Sequence, residues 1–372
     1  MKQKPKTLLI AWEAAQAQEP GITLRAFALR NGFRDNGRAT AEDVIAARLE
    51  VGRREKGLLP KPEILHVGAV TTLTYHVQVG WSQTFLFQSD GHYDSWFCNR
   101  ALYKAHLDEA LDIGALVFHF GDHFDAMQGR FDPRRSMDEL RPEYRTDLYY
   151  DAIVNDAVKF HAPYASILAL EAYGNHELSI IKNGGTDVLG RFAQGMNAAG
   201  ANILLGGYAG WVRLVFVLVD DDGEIQGRIV EPIKYHHGFG GEAPVTKGAI
   251  QTNRQAVYLP DARFVVNGHS HNAYHIPIGR ERLTDDGRVI FDLQHHLRIP
   301  GYKQDYRHGT GGWEVKRGGV SKPIGAFWIT MRRNDDRIDF SVRMDVRGPD
   351  PVTMETPGLF TGKVYSQDTE YP

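Results

Sequence analysis

The chain has 372 residues, 42% hydrophobic and 24% charged, with 39 Gly, 17 Pro and a formal net charge of -3. That composition belongs to an ordinary folded protein, long enough for one large domain plus a small one, and excludes collagen-like, coiled-coil and wholly disordered chains. The near-neutral charge gives no global attraction to nucleic acid or anionic membrane, and the lone Cys98 excludes an intrachain disulfide or thiolate cluster, leaving His, carboxylate and amide side chains for any metal. Residues 1 to 19 begin basic, but the apolar run Leu8 to Trp12 is short and is followed by Glu13 and Gln16, a poor signal peptide. No stretch approaches the roughly 20 apolar residues of a membrane span, so the expectation is a cytoplasmic protein with no membrane partner.

Residues 1 to 60 read as a small helical segment. Leu24, Phe27 and Ala28 share one helical face that ends at Gly32; Thr40 then caps a second helix with the apolar stripe Val44, Ile45 and Leu49, Asp43 serving as the capping-box acid. Two short helices joined by a Gly-containing turn resemble a helix-turn-helix, and residues 1 to 63 carry twelve Lys and Arg against eight Asp and Glu. The segment is either an appendage packed on the main domain or a nucleic-acid contact. GLLPKPE, residues 57 to 63, reads as a linker.

From residue 64 the pattern turns to strands. Candidates lie at 64 to 80, 84 to 90, 115 to 122, 167 to 175, 211 to 220, 227 to 237 and 263 to 269, with hairpin turns at 220 to 224 and 284 to 288. Helical patterns separate several of them: Trp96, Leu102 and Leu111 mark one, and Tyr149, Ile153 and Ala157 another. Strands alternating with helices, then hairpins, predict a mixed sheet covered by helices.

Five of these strands end in Asp, Asn or His beside a glycine: Asp90-Gly91-His92, Gly121-Asp122-His123-Phe124-Asp125, Gly174-Asn175-His176-Glu177, His236-His237-Gly238 and Gly268-His269-Ser270-His271. Ligands of α/β sheets bind beyond the carboxyl ends of the strands, so these residues are expected to converge. Imidazole nitrogen combined with carboxylate and amide oxygen suits Mn, Fe or Zn.

In order and content the five blocks resemble the signature of the calcineurin-like metallophosphoesterases: Asp-x-His, Gly-Asp-x-x-Asp, Gly-Asn-His-Asp/Glu, a lone His and Gly-His-x-His. The match spans residues 84 to 275, and the general arrangement is similar to that of phage-encoded members. The resemblance implies an α/β (α+β) fold, a four-layer αββα sandwich over residues 61 to 345, preceded by the helical segment 1 to 60 and followed by a tail, 346 to 372. It also implies two divalent metal ions. Asp90, His92 and His271 would hold one, Asn175, His237 and His269 the other, and Asp122 would bridge them. His237 is preferred to His236 because family members often place Gly directly after this ligand. A metal-bridging hydroxide would attack phosphorus in line, His176 would act as the acid for the leaving group, and Asp125 would orient a histidine. His123 has no ligand role in the pattern, and His275 is expected at a pocket wall or the surface.

Arg130 and Arg134, in the loop after Asp122, are candidates to bind substrate phosphate. Other histidine-rich hydrolases fit badly: a metallo-β-lactamase-type site needs His-x-His-x-Asp-His, which Ala273 and Tyr274 break. The implied activity is phosphate-ester hydrolysis, with a phosphodiesterase, including a nuclease using residues 1 to 60, favoured over a phosphomonoesterase or protein phosphatase. The alternative of another class is a DNA-binding or scaffold protein with structural metals.

Overall fold

The structure is a computed structural model and describes residues 4–35, 39–55, 62–126, 139–240, 246, 248–306, 313–316 and 318–348. Arg130, Arg134, most of the 57 to 63 linker and nearly all of the 346 to 372 tail lie outside the described residues.

Three helices come first: α1 (Pro5–Gln18), α2 (Leu24–Arg30) and α3 (Ala41–Glu55). Thr23 caps α2 by accepting the Ala26 N–H at 3.1 Å. Before α3, Thr40 Oγ1 accepts the Asp43 N–H at 3.1 Å while Asp43 Oδ2 accepts the Thr40 N–H at 3.0 Å, a reciprocal capping box. Leu8 and Leu9 of α1, Phe27 and Ala28 of α2, and Ala41, Ile45 and Leu49 of α3 bury together as a small bundle core. Within the apolar run Leu8 to Trp12, Leu8 and Leu9 are buried and Ile10 is exposed.

The strands form two sheets. The first contains β1 (Glu63–Val67), β2 (Val70–Val77), β7 (Ala209–Val219), β8 (Ile225–His236), β9 (Phe264–Asn267), β10 (Tyr274–Leu283) and β11 (Val289–Arg298), in the order β1-β2-β7-β8-β9-β11-β10. The second contains β3 (Ser82–Gln88), β4 (Leu116–His119), β5 (Leu168–Ala172), β6 (Leu204–Gly206), β12 (Ile324–Asn334) and β13 (Arg337–Arg347), in the order β13-β12-β3-β4-β5-β6. Both expected hairpin turns join antiparallel partners, β7 with β8 and β10 with β11.

Between the sheets lies an aromatic-rich core that includes Tyr75, Phe85, Phe87, Phe118, Phe120, Phe216, Tyr235, Phe264 and Phe327. Alternation along β3 sends Phe85 and Phe87 into this core and Leu86 to the other face. There Leu86 joins residues of α4 (Arg100–Asp112), α5 (Tyr149–His161) and α7 (Val188–Ala198), among them Leu107, Ile153 and Phe192. Asn99 caps α4 at 3.0 Å and Asp187 caps α7 at 2.8 Å. Trp96 precedes α4 rather than lying on it, and Leu111 is exposed.

On the outer face of the first sheet, Ala47 and Val51 of α3 pack on Val215, Val217 and Val219 of β7. α8 (Ala249–Tyr258) lies against the same sheet, where Gln255 Nε2 donates to Asn267 Oδ1 at 3.0 Å. Helix, sheet, sheet and helix are the four layers. α3 packs on the bundle through Ala41, Ile45 and Leu49 and on β7 through Ala47 and Val51. Two of the segment's cations are also paired, Arg25 with Asp35 at 3.0 Å and Arg30 with Glu19 at 2.6 Å. Among the described residues, no helix is long and apolar enough to cross a membrane.

Candidate metal centre

The neighbours β3, β4 and β5 run parallel, as do β8 and β9, so their carboxyl ends open on one place. Main-chain bonds lace the loops beyond them. Asp90 N–H donates to Gly121 O at 2.9 Å, His92 N–H to Asp122 O at 3.0 Å and Gly268 N–H to His237 O at 2.7 Å. Asp90, His92, Asp122, His269 and His271 all adopt positive φ, between 44° and 70°. That conformation costs a non-glycine residue energy and persists where surrounding structure enforces it, as at functional sites.

Two glycines allow the loops to approach so closely. A Cβ on Gly174 would lie 2.0 Å from Asp122 Oδ1 and 2.3 Å from its backbone nitrogen; one on Gly268 would lie 2.0 Å from Ser89 Oγ and 2.5 Å from Asp90 Oδ2. Gly174→Ala is therefore expected to destabilise the fold by more than about 3 kcal/mol, the upper end of overpacking effects. Denaturant unfolding measures it, and a loss below about 1 kcal/mol would show that the contact relaxes freely.

Seven predicted ligands meet in two adjoining groups. In the first, Asp90 Oδ1 lies 3.3 Å from His271 Nε2, and His271 Nε2 lies 3.2 Å from His92 Nε2. In the second, His237 Nε2 lies 3.1 Å from both Asp122 Oδ2 and Asn175 Oδ1, and His269 Nδ1 lies 2.7 Å from Asn175 Oδ1. The groups touch where Asp90 Oδ2 accepts the His269 N–H at 2.8 Å. His237, not His236, enters the cluster; His236 Nδ1 accepts the Gly238 N–H at 2.9 Å. His275 is elsewhere, on β10, its Nε2 2.8 Å from His295 Nδ1.

Contacts from behind turn the rings so that particular atoms face inward. His237 Nδ1 donates to Phe120 O at 2.9 Å, which turns Nε2 toward Asp122 and Asn175. His92 Nδ1 sits 2.7 Å from Asp125 Oδ1, an ion-pair contact, and its Nε2 faces His271 at 3.2 Å. Groups of acceptors aimed at one another repel unless a proton or a metal cation lies between them. Adjacent ligands on one ion at bond lengths of about 2.0–2.2 Å stand roughly 3–3.5 Å apart, close to the separations here. The donor set and its spacing fit divalent ions, and the carboxylate behind a ligating histidine is the usual outer support of such a site.

The electrostatics point the same way. Burial opposes ionisation of Asp90, Asp122 and Asp125, yet neighbouring histidines, and Lys303 in the case of Asp125, hold all three carboxyls below the usual carboxylate range. Burial likewise opposes a charge on His237, but Asp122 and Asp90 push it up to about 10; His271 is raised by Asp90 in the same way. Protons and metal cations compete for such carboxylates.

His176 flanks this cluster at the start of α6 (Asn175–Gly184). Its N–H donates to Asp122 Oδ1 at 2.9 Å, placing that carboxylate at the positive end of the helix. Its Nδ1 donates to Asp125 O at 2.6 Å, and its Nε2 stands 3.9 Å from Asp122 Oδ2.

Several supporting residues escaped the sequence reading. Glu177 accepts the backbone N–H groups of Gly174 at 2.9 Å, Phe124 at 2.9 Å and Asp122 at 3.2 Å, tying the β4 and β5 loops together. Burial and Asp122 push its carboxyl up to about 8 against the pull of these donors. Asp94 accepts the N–H groups of Asp125 at 2.6 Å and Ala126 at 2.9 Å. Lys303 Nζ reaches Asp125 Oδ1 at 3.2 Å and also pairs with Glu139; these acids raise its pKa although burial works against the charge. Only Glu177 had a local signal, as the fourth letter of its block.

No protein family and no curated protein matches the chain in sequence. Among solved structures it is similar to a predicted phosphoesterase from Streptococcus pneumoniae TIGR4, at 15% identity over 70% of this chain and 89% of that one, with a TM-score of 0.22. It is also similar to a dimetal phosphatase from Danio rerio, at 10% identity over 73% and 99% of the two chains, with a TM-score of 0.29. A Thermotoga maritima protein solved by NMR gives 10% identity over 70% and 98%, with a TM-score of 0.27.

Proposed function

We propose that the chain is a calcineurin-like metallophosphoesterase, a dinuclear metal-dependent hydrolase of phosphate esters with phosphodiesters as its favoured substrates. One observation carries the reading: two groups of inward-facing ligand atoms, on Asp90, His92 and His271 and on Asp122, Asn175, His237 and His269, adjoin at the strand ends with His176 beside them. The first three residues would hold one ion, Asn175, His237 and His269 the second, and Asp122 would be shared, since a carboxylate alone has two anionic oxygens to divide between cations. Two such ions, Mn, Fe or Zn by donor type, supply Lewis acidity and charge neutralisation for an in-line displacement at phosphorus.

The chain's own groups do the rest. Asp125 fixes the His92 ring through its carboxylate and the His176 ring through its carbonyl. With Nδ1–H committed to that carbonyl, His176 presents Nε2 as the atom that delivers a proton to the leaving oxygen. The strand-end loops hold these groups before substrate arrives, so little reorganisation accompanies the reaction. A diester carries one negative charge and needs less cationic support than a monoester dianion. Lys303, the buried cation beside Asp125, is already engaged by Asp125 and Glu139.

The test compares an aryl diester with an aryl monoester under added Mn. The diester is expected to have the higher kcat/KM by about tenfold or more, which is ~1.4 kcal/mol of barrier. The reverse ratio would make the chain a phosphomonoesterase.

A further inference from the structure

Beneath the open cluster lies a second, closed group of ligating side chains. His119 ends β4 and Glu171 stands directly opposite it on β5. Their neighbours Phe118 and Leu170 point into the inter-sheet core, so this pair faces the helix layer. His123, from the loop after β4, completes the group and packs on Phe192 of α7, with ring centroids 4.5 Å apart. His119 and His123 are fully buried and Glu171 is 2% exposed.

Two features of this triad point to a missing ligand. First, both ring nitrogens of His119, both of His123 and Oε2 of Glu171 are buried without a hydrogen-bond partner. Buried polar atoms are almost always satisfied, and an ion held by one atom of each residue would satisfy three of these five. Second, Glu171 Oε2 lies 3.3 Å from His123 Nδ1 and 3.6 Å from His119 Nδ1, and the three residues can each offer one atom within 4.8 Å of the others. Two imidazoles and one carboxylate make a zinc-type donor set, with a water able to complete the shell.

We propose that His119, His123 and Glu171 bind a divalent metal ion of the zinc type at a closed site distinct from the open cluster. Its role is structural. His123 lies between Asp122 and Asp125, and His119 lies under the neighbouring loop, where a Cβ on Gly91 would come 3.0 Å from its Nε2. An ion here fastens both loops from below. The proposal stands whether or not the open cluster hydrolyses phosphate esters.

The full chain is refolded with Zn2+ alone, dialysed in the native state against a chelator, and analysed for zinc per chain beside Glu171→Gln and His119→Gln. The parent is expected to keep one more ion than either variant and to release it when unfolded in guanidinium. Equal zinc in the parent and a folded variant overturns the proposal. Should neither variant fold, the same count on His237→Ala/His271→Ala, which removes an imidazole from each half of the open cluster, decides the matter. One chelator-resistant ion then supports the closed site, and none overturns it.

Discussion

Asp122→Asn is expected to leave the fold in place and to remove both metal retention and hydrolysis at the open cluster. Asparagine keeps the side chain's size and the oxygen that accepts the His176 N–H at 2.9 Å. It loses the negative charge that faces His237 Nε2 at 3.1 Å and would be shared between two cations. Removing a carboxylate that only supports a ligand weakens metal binding or activity by about 10–100-fold. Removing the shared one should exceed that, with kcat for a phosphate ester falling by roughly 10³-fold or more. Circular dichroism, metal analysis and steady-state kinetics on one preparation make the measurement. A folded Asp122→Asn protein that retains both its open-site metal and its rate would remove Asp122 from the shared position.

His176→Ala should separate chemistry from metal binding. The open cluster is expected to keep its ions, because His176 Nε2 stands 3.9 Å from the nearest Asp122 oxygen and His176 belongs to neither ligand group. The rate should fall by about 10²–10⁴, the range for loss of a general acid. The deficit should also depend on the leaving group. A nitrophenolate needs little help from a proton, whereas an alkoxide cannot leave without one, so the parent-to-variant ratio should rise with leaving-group pKa. A ratio that stays flat across such a series would assign His176 to binding or charge stabilisation, not to proton delivery.

Much of the site was legible because its signal is local. A strand that ends in Gly-Asp or Gly-Asn-His announces a sharp turn with polar atoms at its tip, and five such tips in order imply convergence. The positive φ of Asp90, His92, Asp122, His269 and His271 was not legible, since those residue types tolerate but do not advertise that conformation. Neither were the contacts that brace the tips. Lys303 reaches Asp125 from 178 residues away. Asp94 could be assigned only once the loop containing Asp125 and Ala126 was seen to fold over it.

The N-terminal segment teaches the opposite lesson. Periodicity picked out Val44, Ile45 and Leu49 on α3; Ile45 and Leu49 join Ala41 in the bundle core, whereas Val44 is only partly buried, and a stripe is silent about the helix's other face. Ala47 and Val51 seat α3 against β7. His119 and Glu171 lie on different strands outside any motif, and His123 sits in the Gly-Asp-x-x-Asp block, whose pattern gives it no ligand role. Their grouping exists only through the β4–β5 register and the turn that follows β4.

The central claim is a cation-dependent hydrolytic site built by the five strand-end loops. It is tested most directly by following hydrolysis of an aryl phosphodiester before chelation, after native-state chelation, and after Mn, Fe or Zn is added back. Activity that disappears with the open-site ions and returns with at least one of the three metals is the predicted result. Hydrolysis indifferent to the chelator, or no hydrolysis of diester or monoester with any of the three, would contradict it.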